Sequence, residues 1–339
     1  MPKVYIILVN TNGWRDTIEC LESDFRLNYD SFKVIVCDNA STDGSMDRIA
    51  EWASGSLAAG CANPELQHLT TPPLPKPISF LTIGVGEQIS LAPRSESLFL
   101  VQTGANRGFS AGNNVGLRLA LASNDLDYAW LLNNDTVVDP NALSALVKRM
   151  EERPDAGMCG STLLYFHQPR MIQALGGSIY NRWTSRGGHI GLRQDIRDAP
   201  DPNTVESCMK YVVGASMLMS RSWLEQIGLM EEMYFLYFDE IDWVTRARGR
   251  FSLAYAPKSI VYHKEGGTVG TSVDRSKRSP TSDYYAARSC MKFTRKYFPM
   301  ASPSVAAMLL GRSLFRLWSR NLPGMKAVLR GLRDSLRQA

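Results

Sequence analysis

Two short runs of apolar and β-branched residues near the start of the chain most constrain its fold. Residues 4–9 (VYIILV) and 32–37 (FKVIVC) have the length and composition of parallel strands that are buried on both faces. A helical pattern follows each run, at residues 14–27 and 46–53, so strand and helix alternate. This order predicts an α/β protein with a doubly wound, parallel sheet.

Polar clusters follow the predicted strands. They occupy residues 10–13, 38–45, 106–114 and 133–135. Ligands of such sheets bind at the carboxyl ends of the strands, so we expect the clusters to share one binding crevice. Residues 55–94 interrupt this pattern with six prolines, and we interpret them as an insertion at an edge of the sheet, with a hairpin as its candidate structure. After residue 157, shorter segments rich in glycine and aromatic residues replace the regular alternation.

The charge and the cysteine pattern limit which cellular compartment and which kinds of binding partner fit this chain. No apolar run reaches the roughly 18 residues of a membrane-spanning helix, and the start of the chain is too short for a signal peptide before its first strand. The six cysteines form no CxxC pair, so we expect reduced thiols and a cytoplasmic protein. The net charge of +5 is concentrated after residue 312, which favours a membrane surface or a polyanion over nucleic acid.

The tail contains two amphipathic segments, residues 306–318 and 325–336. In the first, the expected apolar face consists of Leu309, Leu310, Leu314, Leu317 and Trp318, with Arg312, Arg316 and Arg320 in water. Such a helix fits the inner face of a membrane as a peripheral contact. Packing on the domain or at a homodimer interface is the alternative.

Two polar clusters fit nucleotide and metal binding. Asp135 closes Asn133-Asn134-Asp135 directly after a buried strand, and one or two carboxylates with substrate phosphates typically hold Mg²⁺. Asp38, followed by Asn39, can accept a hydrogen bond from a pyrimidine N–H or a ribose hydroxyl. Each motif alone also fits a turn or a helix cap, so neither assigns a function by itself.

A third cluster is acidic and aromatic. In residues 234–243 (YFLYFDEIDW), Asp239, Glu240 and Asp242 directly follow a run of aromatic residues. Crowded, partly desolvated carboxylates bind protons more tightly, and one can act as a general base; the alternative is a solvated helix start. His263 ends the last apolar run before a Gly-Gly-Thr loop, where it fits a metal ligand, a diphosphate contact or a structural histidine.

Taken in order, these segments resemble a family 2 glycosyltransferase of the rhamnosyltransferase-like group. The matching segments are VYIILVNTNG, VCDNASTDGS, NRGFSAGNN, WLLNNDT, VVGASMLMSR, FLYFDEIDW, HKEGGT and DYYAARSCMKF. The resemblance implies a GT-A fold, with a Rossmann-like mixed central sheet flanked by helices and a C-terminal helical tail. It implies a catalytic domain over residues 1–270, with a nucleotide-sugar-binding half (1–140) and an acceptor-binding half (141–270), followed by helices over 271–339.

The resemblance also implies roles for individual residues. The implied nucleotide contacts are Asn10, Thr11, Asp38, Asn39, Asn106, Arg107, Gly108, Asn133 and Asn134. The implied metal ligands are Asp135 and His263, and the implied acceptor or diphosphate contacts are Trp243, Gly267, Thr268 and Arg288. Glu240 occupies the position of the catalytic base, Asp239 is a lesser candidate, and Asp242 orients the acceptor or the base. Two positions depart from the family pattern: Asn133 replaces an acid, and Ser289 replaces an asparagine.

The activity implied is that of an inverting hexosyltransferase that requires Mg²⁺ or Mn²⁺. The preferred donor is dTDP-L-rhamnose, with UDP sugars as the alternative. The acceptor is a glycan or a lipid-linked saccharide of the cell envelope, as in surface polysaccharide synthesis. The rival interpretation is a catalytically weak or inactive scaffold that binds nucleotide sugars, which the departures at Asn133 and Ser289 allow. A dehydrogenase lacks support, because no G-x-G-x-x-G motif follows a strand.

Overall fold

A computed structural model describes residues 1–87, 89–92, 94–247, 249–265 and 279–337. The strands are β1 Val4–Asn10, β2 Phe32–Asp38, β3 Phe80–Ile83, β4 Leu98–Gln102, β5 Tyr128–Asn133, β6 Thr136–Val138, β7 Ala156–Tyr165, β8 Gln168–Leu175, β9 Gly177–Asn181, β10 Arg186–His189, β11 Tyr211–Val212, β12 Ser216–Ser220 and β13 Ser252–His263. The helices are α1 Trp14–Asp24, α2 Ser45–Ser54, α3 Phe109–Ala122, α4 Ala142–Glu152, α5 Pro202–Cys208, α6 Arg221–Ile227, α7 Asp239–Ala247, α8 Pro280–Tyr297, α9 Ser302–Trp318 and α10 Leu322–Arg337.

One mixed sheet runs through the molecule in the order β3-β4-β2-β1-β5-β12-β7-β13-β6, and β8 also pairs with β7. The strands from β3 to β5 are parallel, whereas β12 is antiparallel to both β5 and β7. A smaller sheet joins β10, β9 and β11. The expected Rossmann-like mixed sheet with flanking helices and a helical tail is confirmed.

The parallel register brings the polar strand ends to one edge of the sheet. Asn10 lies opposite Asp38 across β1 and β2, and Val9 lies opposite Asn133 across β1 and β5. Helix α3 packs closely over this edge, because Gly112 and Gly116 leave room for it; a β-carbon at either would lie within 2.8 Å of a side-chain atom of β1. The nucleotide-half motifs therefore meet in space, as the sequence predicted.

The second half of the sheet differs from the expected short segments. β7 and β13 run side by side in parallel for much of their length, and β13 continues to His263. There His263 pairs with Thr136 of β6 and Tyr165 of β7. The end of β13 thus lies beside the residue that follows Asp135.

Among the described residues of the insertion over 55–94, one strand, β3, forms in place of a hairpin. Its strand β3 runs parallel to β4 at the edge of the sheet, so the expected position at the edge is confirmed but the expected hairpin is wrong. The six cysteines are unpaired, as expected.

The C-terminal helices α8, α9 and α10 pack around a small apolar cluster that includes Ala287, Val305, Leu309 and Val328. The polarity of α9 differs from the expected pattern. Arg316 is 2% exposed, and its Nη2 lies 2.7 Å from Oδ2 of buried Asp283 on α8. The expectation that Arg316 stands in water is therefore wrong.

Candidate active site

A buried hydrogen-bond network links the ends of β1, β2 and β5. Asn10 donates from Nδ2 to Asp38 over 2.7 Å, and its Oδ1 accepts from Thr17 and from Asn134. Asp38 also accepts from the backbone N–H of Ser41. These polar groups are buried but paired, which stabilises the strand ends. Asp38 is wholly buried, and its carboxylate oxygens are bonded to Asn10 and to the backbone of Ser41.

The loop before α3 lies next to this network. Asn39 donates from Nδ2 to the carbonyl of Gly108 over 3.2 Å, and its Oδ1 accepts from Thr103. Asn106 and Arg107 are exposed, and Arg107 forms a loose ion pair with Glu232. The structure therefore brings Asn39 and Gly108 together and leaves the side chains of Asn106 and Arg107 accessible. Thr11, at the end of β1, is half-buried.

Gly108 is required by a close backbone contact. Its φ is +96°, and a β-carbon there would lie 2.3 Å from the carbonyl oxygen of Phe235. Phe109 donates its backbone N–H to that same carbonyl over 3.1 Å. The loop that leads into α7 is thus held directly against the nucleotide-half loop.

The other side of that loop is held by α8. The ring of Phe235 stacks on Tyr285 with centroids 4.5 Å apart, and Ser289 donates to the carbonyl of Leu236 over 2.8 Å. Ser289, which replaces an asparagine of the family pattern, therefore has a structural contact with the backbone of this loop. The position of the carboxylates at the start of α7 depends on both sets of contacts.

Asp135 and His263 meet at the end of β13. His263 Nε2 lies 3.1 Å from Asp135 Oδ1 and 3.3 Å from Asn133 Nδ2. On its other side, Nδ1 lies 2.8 Å from Oε1 of buried Gln173 on β8. A carboxamide oxygen accepts only, so Nδ1 carries the proton and donates to Gln173. The sequence analysis missed Gln173, since no motif surrounds it.

The two side chains shift each other's proton affinity. Burial alone lowers the pKa of His263, but the Asp135 carboxylate outweighs burial and raises that pKa above its ordinary value. Burial alone raises the pKa of Asp135, but His263 and Lys264 outweigh it and hold that pKa below its ordinary value. The two shifts favour the charged form of each side chain.

The same two donors also fit a divalent cation. Ligands at right angles around a Mg²⁺ ion, with bonds of about 2.1 Å, lie about 3 Å apart. Asp135 Oδ1 and His263 Nε2 have this spacing, and Gln173 fixes the histidine tautomer. Within the described residues, no group of three or more His, Cys, Asp or Glu side chains could hold a metal. Substrate phosphates would therefore have to complete the coordination.

Glu240 approaches the Asn133-Asn134-Asp135 motif from the other side. Its Oε1 lies against Gly214, where a β-carbon would be 2.3 Å away. The next residue, Ala215, accepts a hydrogen bond from the backbone N–H of Asn133 over 3.0 Å. Burial raises the pKa of Glu240, although the backbone N–H groups of Glu240 and Gly214 oppose the shift. A carboxylate with raised proton affinity therefore lies one backbone contact from the motif.

Asp239 is more deeply buried than Glu240. Its Oδ1 accepts a short hydrogen bond from Ser110 at the start of α3. Burial, together with the neighbouring charge of Glu240, raises the pKa of Asp239 well above its ordinary value. Burial and Glu240 thus favour the protonated form of Asp239, although the hydrogen bond from Ser110 opposes this shift, and that bond joins α3 to α7.

Asp242 and Trp243 have structural surroundings. Asp242 is wholly buried and its oxygens accept from Tyr234, Tyr297, Lys296 and Arg246. These contacts tie α7 to α8 and favour a structural role over the expected catalytic one.

Trp243 is wholly buried too. It packs edge-on against Trp223, and its Nε1 donates to the carbonyl of Gly228 over 2.8 Å. The expected contact between Trp243 and an acceptor is therefore corrected, because its ring is enclosed by the core.

Of the other residues expected to contact the acceptor or the diphosphate, the structure describes only Arg288. Arg288 lies half-buried on α8, near Tyr284 and Lys292. Gly267 and Thr268 lie outside the described residues.

A groove of about 470 Å³ runs along α7 beyond Glu240. Ile241, Val244 and Thr245 form one wall of this groove. The other walls are Tyr180, Asn181, Arg182, Trp183, Lys210 and Phe298. Aromatic rings beside cationic and hydroxyl groups suit a sugar ring with an attached phosphate.

Comparison with known proteins shows which sequences and folds this chain is similar to. Residues 88–228 match the family described as Glycosyl transferase family 2. The chain is 26% identical over 156 residues to the low-salt glycan biosynthesis hexosyltransferase of Haloferax volcanii. It is 24% identical over 200 residues to the N-acetylglucosaminyl-diphospho-decaprenol L-rhamnosyltransferase of Mycobacterium tuberculosis. These matches cover 45% and 52% of this chain, and they span only 47% and 62% of the two relatives.

Two solved structures share the fold. The mannosyltransferase PcManGT from Pyrobaculum calidifontis, in complex with GDP-Man and Mn²⁺, matches 99% of this chain and 87% of its own with a TM-score of 0.53 and 15% identity. S. aureus TarS in complex with UDP-GlcNAc matches 99% of this chain and 81% of its own with a TM-score of 0.52 and 12% identity. The expected GT-A fold is confirmed, and residues 88–228 carry the match to glycosyltransferase family 2 that the sequence resemblance predicted.

Proposed function

We propose that this protein transfers a sugar from a nucleoside diphosphate donor to a hydroxyl group, with inversion at the anomeric carbon and Glu240 as the base. The observation that carries the proposal is the position of Glu240 against Gly214. The neighbouring Ala215 is hydrogen-bonded to Asn133, so the base stands beside the motif assigned to the donor diphosphate.

Glu240 suits a general base better than its two acidic neighbours. Burial raises its pKa, so its carboxylate takes a proton more readily than an ordinary glutamate does. Asp242 has four polar partners, and Asp239 is held by Ser110. Among the described residues, no cation forms an ion pair with Glu240, so its charge is free to act on an acceptor.

A divalent cation, Mg²⁺ or Mn²⁺, would be held by Asp135 and His263 together with the donor diphosphate. When bound, such an ion neutralises charge on the leaving diphosphate. Asn133, in place of an acid, leaves the site with one carboxylate, so we expect weak metal binding until the donor supplies its phosphate oxygens. In the neutral ring of His263, the hydrogen bond from Nδ1 to Gln173 leaves Nε2 as the nitrogen that is available to a metal.

In the proposed reaction, the acceptor hydroxyl gives its proton to Glu240 as its oxygen attacks the anomeric carbon. The bond from that carbon to the diphosphate oxygen breaks on the opposite face, and the nucleoside diphosphate leaves with the bonding electrons. The network of Asn10, Asp38 and Asn39 orients the nucleoside, and the loop at Asn106, Arg107 and Gly108 lies beside it. Preorganised hydrogen bonds of this kind lower the barrier without reorganisation during the reaction.

For the donor we prefer dTDP-L-rhamnose, with a UDP sugar as the alternative. The L-rhamnosyltransferase relative supports rhamnose, and its name also supports a lipid-linked saccharide as the acceptor. The groove beside α7 suits such an acceptor, because Trp183 offers a ring face and Arg182 and Lys210 offer cations for a phosphate.

The test combines nucleotide binding with product formation. Melting temperatures are measured with dTDP, UDP and GDP and their sugars, each with and without Mn²⁺. We expect a pyrimidine diphosphate to stabilise the protein more when metal is present, and Asp135→Ala to remove the metal-dependent part. Glu240→Gln should keep this binding and lose transfer of sugar to a lipid-linked acceptor, measured by chromatography of the product. If neither a nucleotide nor a sugar nucleotide shifts the melting temperature with metal present, the proposal is wrong.

A further inference from the structure

Helix α9 presents an uncharged, largely apolar face to solvent. Trp318 is 82% exposed and Leu314 is 66% exposed, which is far more than such side chains usually show. The other exposed large apolar side chains of this region are Leu310, Phe315, Leu317 and, at the start of α10, Leu322. We call these six residues the apolar tip, since they lie in the second half of α9 and at its connection to α10.

The polarity of α9 is inverted relative to a helix that packs its apolar face inward. At 100° per residue, Leu310, Leu314 and Leu317 share one side of the helix with Trp318. The opposite side packs on α8 and carries Arg316, which forms an ion pair with buried Asp283 at 2.7 Å. Arg312 forms a second ion pair with Asp283, also at 2.7 Å. Arg312 and Arg316 of α9 thus form ion pairs on the inner side of the helix. Its outward face is uncharged and can contact another apolar phase.

Helix α10 adds a basic border to the apolar tip. Leu322, Leu329 and Leu336 are exposed and recur every seven residues, so they form one stripe. The exposed cations beside this stripe are Arg320, Lys326, Arg330 and Arg333. From residue 302 onward Asp334 is the only acid in the sequence, and it lies 3.0 Å from Arg333 and 3.6 Å from Arg330. The surface around the tip therefore has a net positive charge.

We propose that the apolar tip and the basic residues of α10 dock this protein on the surface of an anionic lipid bilayer. Leucine and tryptophan beside exposed Lys and Arg are the composition of helices that lie in the membrane interface. Within the described residues, no helix is long and apolar enough to cross a membrane, so the contact is one of lying on the surface.

Charge decides between a bilayer and a second copy of this chain as the occupant. A symmetric contact between two copies would bring Lys326, Arg330 and Arg333 near their own counterparts and leave the repulsion uncompensated. Anionic headgroups instead neutralise these cations near the membrane surface. A bilayer offers an apolar phase to the apolar tip and anionic headgroups to its basic border.

Vesicle sedimentation of the full chain tests the proposal. We expect binding to vesicles that contain phosphatidylglycerol, weak binding to phosphatidylcholine vesicles, and loss of binding as salt is raised. Leu314→Glu and Trp318→Glu each place a charge in the apolar tip without touching the core, and each should reduce the bound fraction roughly tenfold. Val85→Glu makes the same change at a 65% exposed position elsewhere and should bind as the wild type does.

Two results would overturn the proposal. One is a wild type that does not bind vesicles, or variants that bind equally well. The other is a wild-type dimer in light scattering that Leu314→Glu converts to a monomer while vesicle binding is unchanged, since the tip would then be an interface between copies. The assay contains neither donor nor acceptor, so its failure leaves the proposed transferase activity standing, and the reverse also holds.

Discussion

Glu240 lies so close to Gly214 that a β-carbon at Gly214 would be 2.3 Å from its Oε1. Gly214 precedes Ala215, whose carbonyl binds the backbone N–H of Asn133. The small residue thus lets the carboxylate approach the end of β5. Any side chain at position 214 would push the end of the glutamate away, while the backbone around it could stay in place.

We therefore expect Gly214→Ala to reduce turnover by roughly 10- to 100-fold, because a displacement of about 1 Å at the reacting groups has an effect of this size. Nucleotide binding and the melting temperature should change little, since the atom that must move is the end of a flexible side chain. Steady-state kinetics and thermal shift with the preferred nucleotide measure these quantities. Gly60→Ala is the matched control, because a β-carbon there meets nothing within 4 Å. Equal turnover in both variants would contradict the assigned position of Glu240.

The second prediction concerns the pH dependence of transfer. Because burial raises the pKa of Glu240, the acid limb of the rate profile should lie at higher pH than for an ordinary glutamate. Turnover should rise with pH through this limb, since only the ionised carboxylate accepts a proton. Glu240→Gln should abolish the limb along with activity. Asp239→Asn should keep the limb, because burial and the neighbouring charge of Glu240 raise the pKa of Asp239 well above its ordinary value.

The same shift has a consequence for stability. Between the ordinary pKa and the raised one, the folded protein binds more protons at Glu240 than the unfolded chain does, so this group lowers stability as pH rises. Glu240→Gln should therefore melt at a higher temperature than the wild type at neutral pH. The difference should shrink in acid, where both forms are uncharged. A lower melting temperature for the variant at neutral pH would contradict a buried, charged Glu240.

Much of the nucleotide half could be predicted from the sequence. The apolar runs of β1 and β2 indicate that both strands are buried. The parallel register then places Asn10, Asp38 and Asn133 at one edge of the sheet. The second half could not be predicted in this way, because buried polar residues interrupt its strands. Ser161 of β7, for example, is buried and bonded to Ser216 and Ser259, so no continuous apolar run marks the strand.

Predictions for several individual side chains were wrong or missing because tertiary contacts decide where those side chains lie. Charged side chains are usually exposed, so the sequence predicted that Arg316 faces solvent. In the structure its charge is compensated by buried Asp283. Trp243 follows the acids in the sequence, yet the helix carries its ring toward Trp223 in the core. Gln173 gave no signal at all, since its contact with His263 exists only once β8 and β13 lie near each other. The residue-by-residue roles carried over from the family stay predictions.

The fourth prediction tests Gln173 as a positioning residue. Gln173→Leu removes the acceptor that fixes the tautomer of His263, so metal-dependent nucleotide binding should weaken by roughly 10- to 100-fold. Titration of Mn²⁺ at a fixed nucleotide concentration measures this change. Gln168→Leu, at an exposed position of the same strand, should leave it unaltered. Gln173→Glu keeps an acceptor and should recover part of the affinity. A loss of the same size in Gln168→Leu would show a general effect on β8 instead.

The last prediction concerns Asp24, at the end of α1. Its side chain is wholly buried, its Oδ1 has no hydrogen-bond partner among the described residues, and burial raises its pKa to about 8. Between 3.8 and about 8 the folded state binds more protons than the unfolded one, so stability falls with pH by up to about 1.4 kcal/mol per unit. Asp24→Asn, which stays neutral, should therefore gain stability over the wild type as pH rises from 5 to about 8. Urea unfolding at several pH values measures the difference, and Asp30→Asn at an exposed position should show no such trend. A constant difference between Asp24→Asn and the wild type across this range would mean that Asp24 is ionised in the folded protein.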